Sequence, residues 1–295
     1  MSQPYMSDTW RKWIQENLQR GVKRLNIYDI LRQNGFGLGA IKVGMGEFFP
    51  QDVETDEEGR DASGRTRRHE DISNCMITRR KDEGLRRIPV SGLQIYVWDN
   101  FLELDVCDKI TTAMNSHLSR STITTPTDAS GYDPTFRTSE TCFLDQVKNP
   151  VIKAVDQKLS YALGISTKWS EPIQAQKYSP GQEFKAHTDY FEPGSDEYKQ
   201  FCSTLGQRTW TFMVYLNEGC EGGATRFRKI DKQFIPQKGR AVIWNSMLPS
   251  GDPNPVSIHH GMKVRAGEKY VITKWFRDKG HGPLFREATA RVATR

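Results

Sequence analysis

Residues 209–216 read TWTFMVYL. In an extended chain, Trp210, Phe212, Val214 and Leu216 share one face, because successive side chains of a strand alternate. Further short apolar runs lie on either side, at 173–178, 224–227, 232–235, 241–244, 256–259 and 270–276. Clusters of Gly, Pro, Asn and Asp separate them. Many short strands in series predict a sandwich or jelly roll. Upstream, Leu93, Ile95 and Val97 alternate in the same way. Two helices are expected between that run and the strand series. One follows Asp105 and carries Val106, Ile110, Met114 and Leu118. The other starts at Asn149-Pro150, carries Val151, Ile152, Val155, Leu159 and Leu163, and stops at Gly164. The fold class is therefore α+β with a mainly β core.

The N-terminal region has a different character. Residues 8–22 have helical spacing at Trp10, Trp13, Ile14 and Leu18, with Asp8 as a cap. A second short helix fits 27–33, stopped by Asn34-Gly35. The Gly-rich run 35–49 lacks the Gly, Lys and Ser/Thr order of a phosphate loop. Residues 51–71 contain almost nothing apolar. These shifts predict a helical appendage (1–50), a polar linker or mobile loop (51–87), a core domain (88–279) and a basic tail (280–295). The turn-rich stretch 121–135 and the insertion 192–207 are candidate gating segments.

Composition limits the function classes. The 295 residues carry 42 Lys+Arg against 36 Asp+Glu, a net charge of +6. Residues 256–295 hold nine of the basic residues and three of the acids, so the first 255 are balanced at 33 each. A basic end of this kind admits an anionic partner. No run approaches ~18 consecutive apolar residues, so no membrane span is expected. The five cysteines include no CxxC pair. With no secretory leader pattern, reduced thiols and a cytoplasmic location are expected.

The chemistry concentrates in HTDYF. His187 and Asp189 are two residues apart, which places them on one side of an extended chain. An imidazole and a carboxylate supply two ligands of a two-His, one-carboxylate metal face. His69-Glu70-Asp71 has the same composition but lies in the charged linker, so the tripeptide alone decides nothing. Downstream, VSIHHGMKVRAGEKYVITKW offers His259 and His260, then a turn at 266–268, then a strand starting at Lys269. An antiparallel return brings Lys269 back toward the histidines. A lysine turned into an apolar barrel needs an anion, because an unpaired buried ammonium is costly.

Four blocks carry a family likeness: AQKYSPGQEFKAHTDYF, TFMVYLNEGCEGGATRF, PQKGRAVIW and HHGMKVRAGEKYVITKW. In that order, over roughly 93–277, the chain resembles the catalytic domain of prolyl 4-hydroxylase-like 2-oxoglutarate/Fe(II) dioxygenases. The resemblance implies a double-stranded β-helix (jelly roll) with supporting helices. It implies Fe(II) held by His187, Asp189 and a distal histidine, with Lys269 on the far carboxylate of 2-oxoglutarate. The family motif, H-x-G then V, G and K, sets its lysine ten positions after the ligand. That assigns His259, with Gly261, Val264, Gly267 and Lys269 in step, and leaves His260 turned the other way. Tyr178 matches a tyrosine that helps bind 2-oxoglutarate, and Trp275 also matches. Lys263 and His260 depart from the family pattern.

The implied reaction is hydroxylation of an unactivated C–H bond with release of succinate and CO2. Fe(II) is the cofactor, 2-oxoglutarate and O2 are co-substrates, and ascorbate is a stimulant. A prolyl residue of a peptide or protein is the family default. A free amino acid or small natural product is the alternative on the same fold. A nucleic-acid-binding module that works through the basic tail, and a cupin-like metal enzyme without 2-oxoglutarate, are the readings from other classes. Arg137, Arg226 and Arg228 lie in matching blocks and are expected to line the substrate entrance.

Overall fold

The alternation at 209–216 becomes the middle of an eight-stranded antiparallel sheet. The computed structural model describes residues 6–34, 36, 38–50, 72–73, 75–76, 84–122, 135–147 and 149–279. Most of the stretch 121–135, the basic tail 280–295 and the whole polar run 51–71 lie outside those residues. The helices are α1 (Asp8–Gln19), α2 (Arg24–Gln33), α3 (Leu38–Met45), α4 (Leu104–Asn115), α5 (Pro150–Leu163) and α6 (Asp196–Phe201). The strands are β1 (Leu85–Arg87), β2 (Ile95–Trp98), β3 (Ser119–Arg120), β4 (Glu140–Phe143), β5 (Gln174–Tyr178), β6 (Phe184–His187) and β7 (Arg208–Tyr215). They continue with β8 (Glu221–Gly222), β9 (Thr225–Phe227), β10 (Lys232–Phe234), β11 (Ala241–Asn245), β12 (His259–Gly261), β13 (Val264–Ala266) and β14 (Lys269–Arg277). Among the described residues, no helix is long and apolar enough to cross a membrane.

The chain divides into two compact units, Met1–His69 and Glu70–Arg295. The first is a cluster of α1–α3 around Ile14, Ile27, Tyr28, Leu31, Ile41 and Met45. The Gly-rich run, given no phosphate role and placed within the helical appendage, contains α3. Gly44 fits there because a Cβ would overlap the Met6 sulfur.

In the second unit the large sheet runs β1-β2-β11-β7-β14-β5-β4-β3, and a smaller sheet runs β10-β9-β12-β6. This is the jelly-roll arrangement, with two facing antiparallel sheets. β7 and β14 are buried on both faces, which explains their apolar character. Trp210, Phe212, Val214, Tyr270, Ile272 and Phe276 turn toward the helices, joining Ile110, Met114, Val155 and Leu159. Met213, Tyr215 and Val271 turn inward toward Phe227 and Trp244. Helix α5 is built as its sequence predicts. The Asn149 side chain accepts from the Val151 amide at 2.9 Å, and Gly164 ends the helix at φ 72°.

Two expectations need correction. The 51–87 linker includes structured residues. Ile72, Cys75 and Met76 are buried in the large core, and 85–87 form edge strand β1. Their apolar side chains are few, but each fills the space beneath a long sheet. The run 256–259 is not a strand. Pro255–Ser257 is a 3-10 turn capped by Asn254, whose side chain accepts from the Val256 amide at 3.0 Å, and the strand begins at His259.

Candidate metal centre and substrate groove

Strands β6 and β12 pair with His187 opposite His259. That register brings together two residues 72 positions apart in sequence. Asp189 follows two residues after His187, in the bend just past the end of β6. His187 Nε2 lies 3.9 Å from Asp189 Oδ1, and His259 Nε2 lies 4.0 Å from the same oxygen. One donor atom from each of the three lies within 4.8 Å of the others.

The ring orientations are fixed from behind. His187 Nδ1 sits 2.7 Å from the Lys185 carbonyl, and His259 Nδ1 sits 3.0 Å from the Ser257 carbonyl. A carbonyl only accepts, so each Nδ1 carries the proton and each Nε2 presents its lone pair inward. His187 stacks on Phe184 at 3.5 Å, and Trp244 packs its edge on His259 at 4.7 Å. Burial, reinforced by His259, pulls the His187 imidazole down to about 3, so it is neutral at physiological pH. Burial alone would raise the Asp189 carboxyl. His259, His187, a 2.6 Å hydrogen bond from the Thr211 hydroxyl and Arg208 outweigh it and hold it below its ordinary value. Two imidazole nitrogens and one carboxylate oxygen form the donor set of a divalent metal face.

Lys269 belongs to the same cavity as the three. It is 2% exposed, and its register partner on β5 is Tyr178. Its Nζ lies 4.8 Å over the Tyr178 ring and 5.7 Å over the Tyr215 ring. Among the described residues no carboxylate pairs with it. Burial lowers this ammonium to about 8. Gly223, at φ 66°, leaves the lysine room, because a Cβ there would lie 3.3 Å from Lys269 Cδ. Tyr178 donates to Gln176 Oε1 at 2.7 Å, so its ring is held in place.

Beside this cavity runs a groove of about 610 Å³ that touches His187 and Asp189 and is walled by Phe136, Phe184, Phe191 and Trp275. Arg137 lines it and stacks 4.7 Å over Phe184. Ser195, Glu197 and Phe201, from the 192–207 insertion, also line it. Arg226 and Arg228 are not brought there. In β9 it is Phe227 that turns inward, opposite His259, while Arg226 points out and pairs with Asp231 at 3.3 Å. Arg228 is exposed on the following turn. His260 points away from the metal face, as alternation requires, and meets Glu183 at 2.9 Å.

Three supporting residues escaped the sequence reading. Thr211 holds the Asp189 carboxylate. Arg208 is sandwiched over Trp275 at 4.1 Å and Phe191 at 4.7 Å, and its Nη1 donates to the Asp189 carbonyl at 3.3 Å. Glu171 binds Arg208 through two hydrogen bonds, of 2.6 and 2.7 Å. The signal for Thr211 was present, since Thr209 and Thr211 are the polar phase of the β7 alternation.

A model described as the 2OG-Fe(II) oxygenase superfamily matches residues 173–277. Prolyl 4-hydroxylase 1 of Arabidopsis thaliana is 33% identical over 201 residues, covering 63% of this chain and 69% of that protein. Prolyl 4-hydroxylase subunit alpha-2 of Gallus gallus is 29% identical over 177 residues, covering 59% of this chain and only 32% of that longer protein. Among solved structures, the viral collagen prolyl hydroxylase of Paramecium Bursaria Chlorella virus-1, in complex with 2OG, is 26% identical. The match covers 62% of this chain and 95% of that one, with a TM-score of 0.48.

Proposed function

The chain belongs to the prolyl 4-hydroxylase-like 2-oxoglutarate/Fe(II) oxygenases, and from that premise we propose that it hydroxylates a prolyl residue of a peptide or protein at the centre formed by His187, Asp189 and His259. The convergence of those three donors beside the unpaired, buried Lys269 carries this reading. Bound there, Fe(II) supplies the O2 activation that inserts one oxygen atom into a C–H bond and the other into 2-oxoglutarate, which leaves as succinate and CO2.

The chain's own residues set the conditions. The Lys185 and Ser257 carbonyls fix the tautomers of the two histidines, and Thr211 and Arg208 fix Asp189. Lys269 anchors the distal carboxylate of 2-oxoglutarate, with Tyr178 forming the wall beside it. The aromatic faces of Phe136, Phe184 and Trp275 suit a pyrrolidine ring, as aromatic-lined grooves suit proline segments generally. Phe184 and Trp244 exclude water from the histidines. Ascorbate would serve as the external reductant for bound Fe(II). The five free cysteines suit a reducing, cytoplasmic compartment.

The test is a mass gain of one oxygen in proline-containing peptides incubated with enzyme, Fe(II), 2-oxoglutarate and ascorbate. Succinate release stimulated by those peptides is the expected companion result. Stimulation by free amino acids alone would move the substrate to the small-molecule alternative.

A further inference from the structure

The wall of the groove holds three guanidinium groups, and a half-buried carboxylate, Glu171, lies among them. Arg137, Arg208 and Arg277 all line it, and Arg137 and Arg277 are 7% and 3% exposed. Glu171 is shared by two of them. Its Oε1 accepts from Arg208 at 2.6 Å and from Arg277 at 2.5 Å, and its Oε2 accepts from Arg208 at 2.7 Å. Among the described residues Arg137 has only neutral acceptors: Gln174 Oε1 at 2.7 Å, the Thr122 carbonyl at 3.3 Å and the Ser139 hydroxyl at 3.4 Å. Asp189 faces the histidines and is committed to the metal face. Glu192 and Glu197 also line the groove, the first exposed and the second half-buried. Among the described residues neither pairs with any of the three arginines.

A buried charge without a counter-ion is costly, and a fold retains it where a ligand supplies the missing charge. Lys269 is the first such cation in this cavity system, and 2-oxoglutarate answers it. Arg137 is the second, stacked on the ring of Phe184, which in turn stacks on His187. We propose that the substrate carries a carboxylate beside the reacting ring and seats it on Arg137, so that the enzyme selects anionic prolyl substrates. This rests on the prolyl reading above. The carboxylate has two sources, an acidic residue next to the proline or the free carboxyl end of a chain terminating in proline. A planar guanidinium binds either, and it distinguishes both from their amides.

The experiment uses matched peptides on the intact enzyme: proline followed by Glu or by Gln, and proline at a free or an amidated C-terminus. Binding is measured without oxygen on protein loaded with Mn(II) and 2-oxoglutarate, and kcat/KM for oxygen insertion is measured with Fe(II). The acid member of at least one pair is expected to exceed its amide by about tenfold or more. Whichever pair separates identifies the source of the carboxylate. In Arg137→Gln the gap is expected to close to about twofold, since the charge-assisted part is removed. The wild-type comparison decides the question even if that variant fails to fold. Equal values for acid and amide in both pairs, or an amide preference, overturn the proposal. Acid-selective binding without oxygen insertion leaves it standing and overturns the prolyl reading. Absence of binding by every peptide overturns both.

Discussion

Lys269 and Lys274 lie on the same strand, five positions apart, and both are 2% exposed. An odd separation sends them to opposite faces of the sheet. Lys274 turns toward helix α5, donates to Asp156 at 2.5 Å and to the Glu171 carbonyl at 2.9 Å, and is fully answered by the protein. Lys269 turns into the barrel, meets two aromatic rings and finds no carboxylate among the described residues. The first charge is part of the architecture. The second awaits a ligand. Buried charge alone does not mark a site, whereas buried charge without a protein partner does.

The comparison can be broken at several points. The largest effect belongs to the metal face that Lys269 serves. His187→Ala, Asp189→Ala or His259→Ala is expected to lower 2-oxoglutarate turnover by about a thousandfold or more, with iron binding weakened in parallel. Iron titration and succinate release check this, and near-normal turnover in any one variant removes that residue from the centre.

Next, Lys269→Ala should raise the 2-oxoglutarate KM by about a hundredfold while iron affinity holds, because a charge-assisted contact is lost. Thermal stability should stay level or rise, since an uncompensated buried cation has been removed. The opposite pattern is expected for Asp156→Ala, which strands Lys274. Stability should fall by about 3 kcal/mol with 2-oxoglutarate KM unchanged. Denaturant melts of the two variants side by side would erase the contrast if both lost stability equally.

The pH dependence sharpens it further. Burial lowers free Lys269 to about 8, so the lysine is charged below that pH and neutral above it. The 2-oxoglutarate carboxylate needs the charged form, so above pH 8 binding must take up a proton. Affinity should be flat below pH 8 and then weaken, approaching about tenfold per pH unit. Calorimetric titration across that range tests it, and a flat profile counts against Lys269 as the anchor. Smallest is Thr211→Val, expected to weaken iron binding by about tenfold by releasing the Asp189 carboxylate.

Much of this was legible along the chain. The alternation of Trp210, Phe212 and Val214, the Asn149-Pro150 start of α5 and its stop at Gly164 are local signals, and local signals survive folding. The His187-x-Asp189 pair and the ten-residue step from His259 to Lys269 were legible for the same reason, since each is a short spacing along the chain, although β12 and β14 enter different sheets rather than forming one hairpin. Arg226 and Arg228 misled because sequence proximity to inward residues does not say which phase of a strand faces in. Phe227 took the inward position. Glu171, Arg208 and Arg277 could not be linked beforehand, because they meet only when the ends of β7 and β14 are laid side by side with the segment before β5.

The sequence by itself determined the strand series, the supporting helices and the residue types of the metal face, because periodicity and short spacing are properties of a chain read locally. Only the tertiary structure decided that β6 pairs with β12, which sets His187 against His259. It also decided which of two buried lysines has no carboxylate partner among the described residues. Pairing and compensation depend on contacts between distant segments, and those exist only once the two sheets have closed on each other.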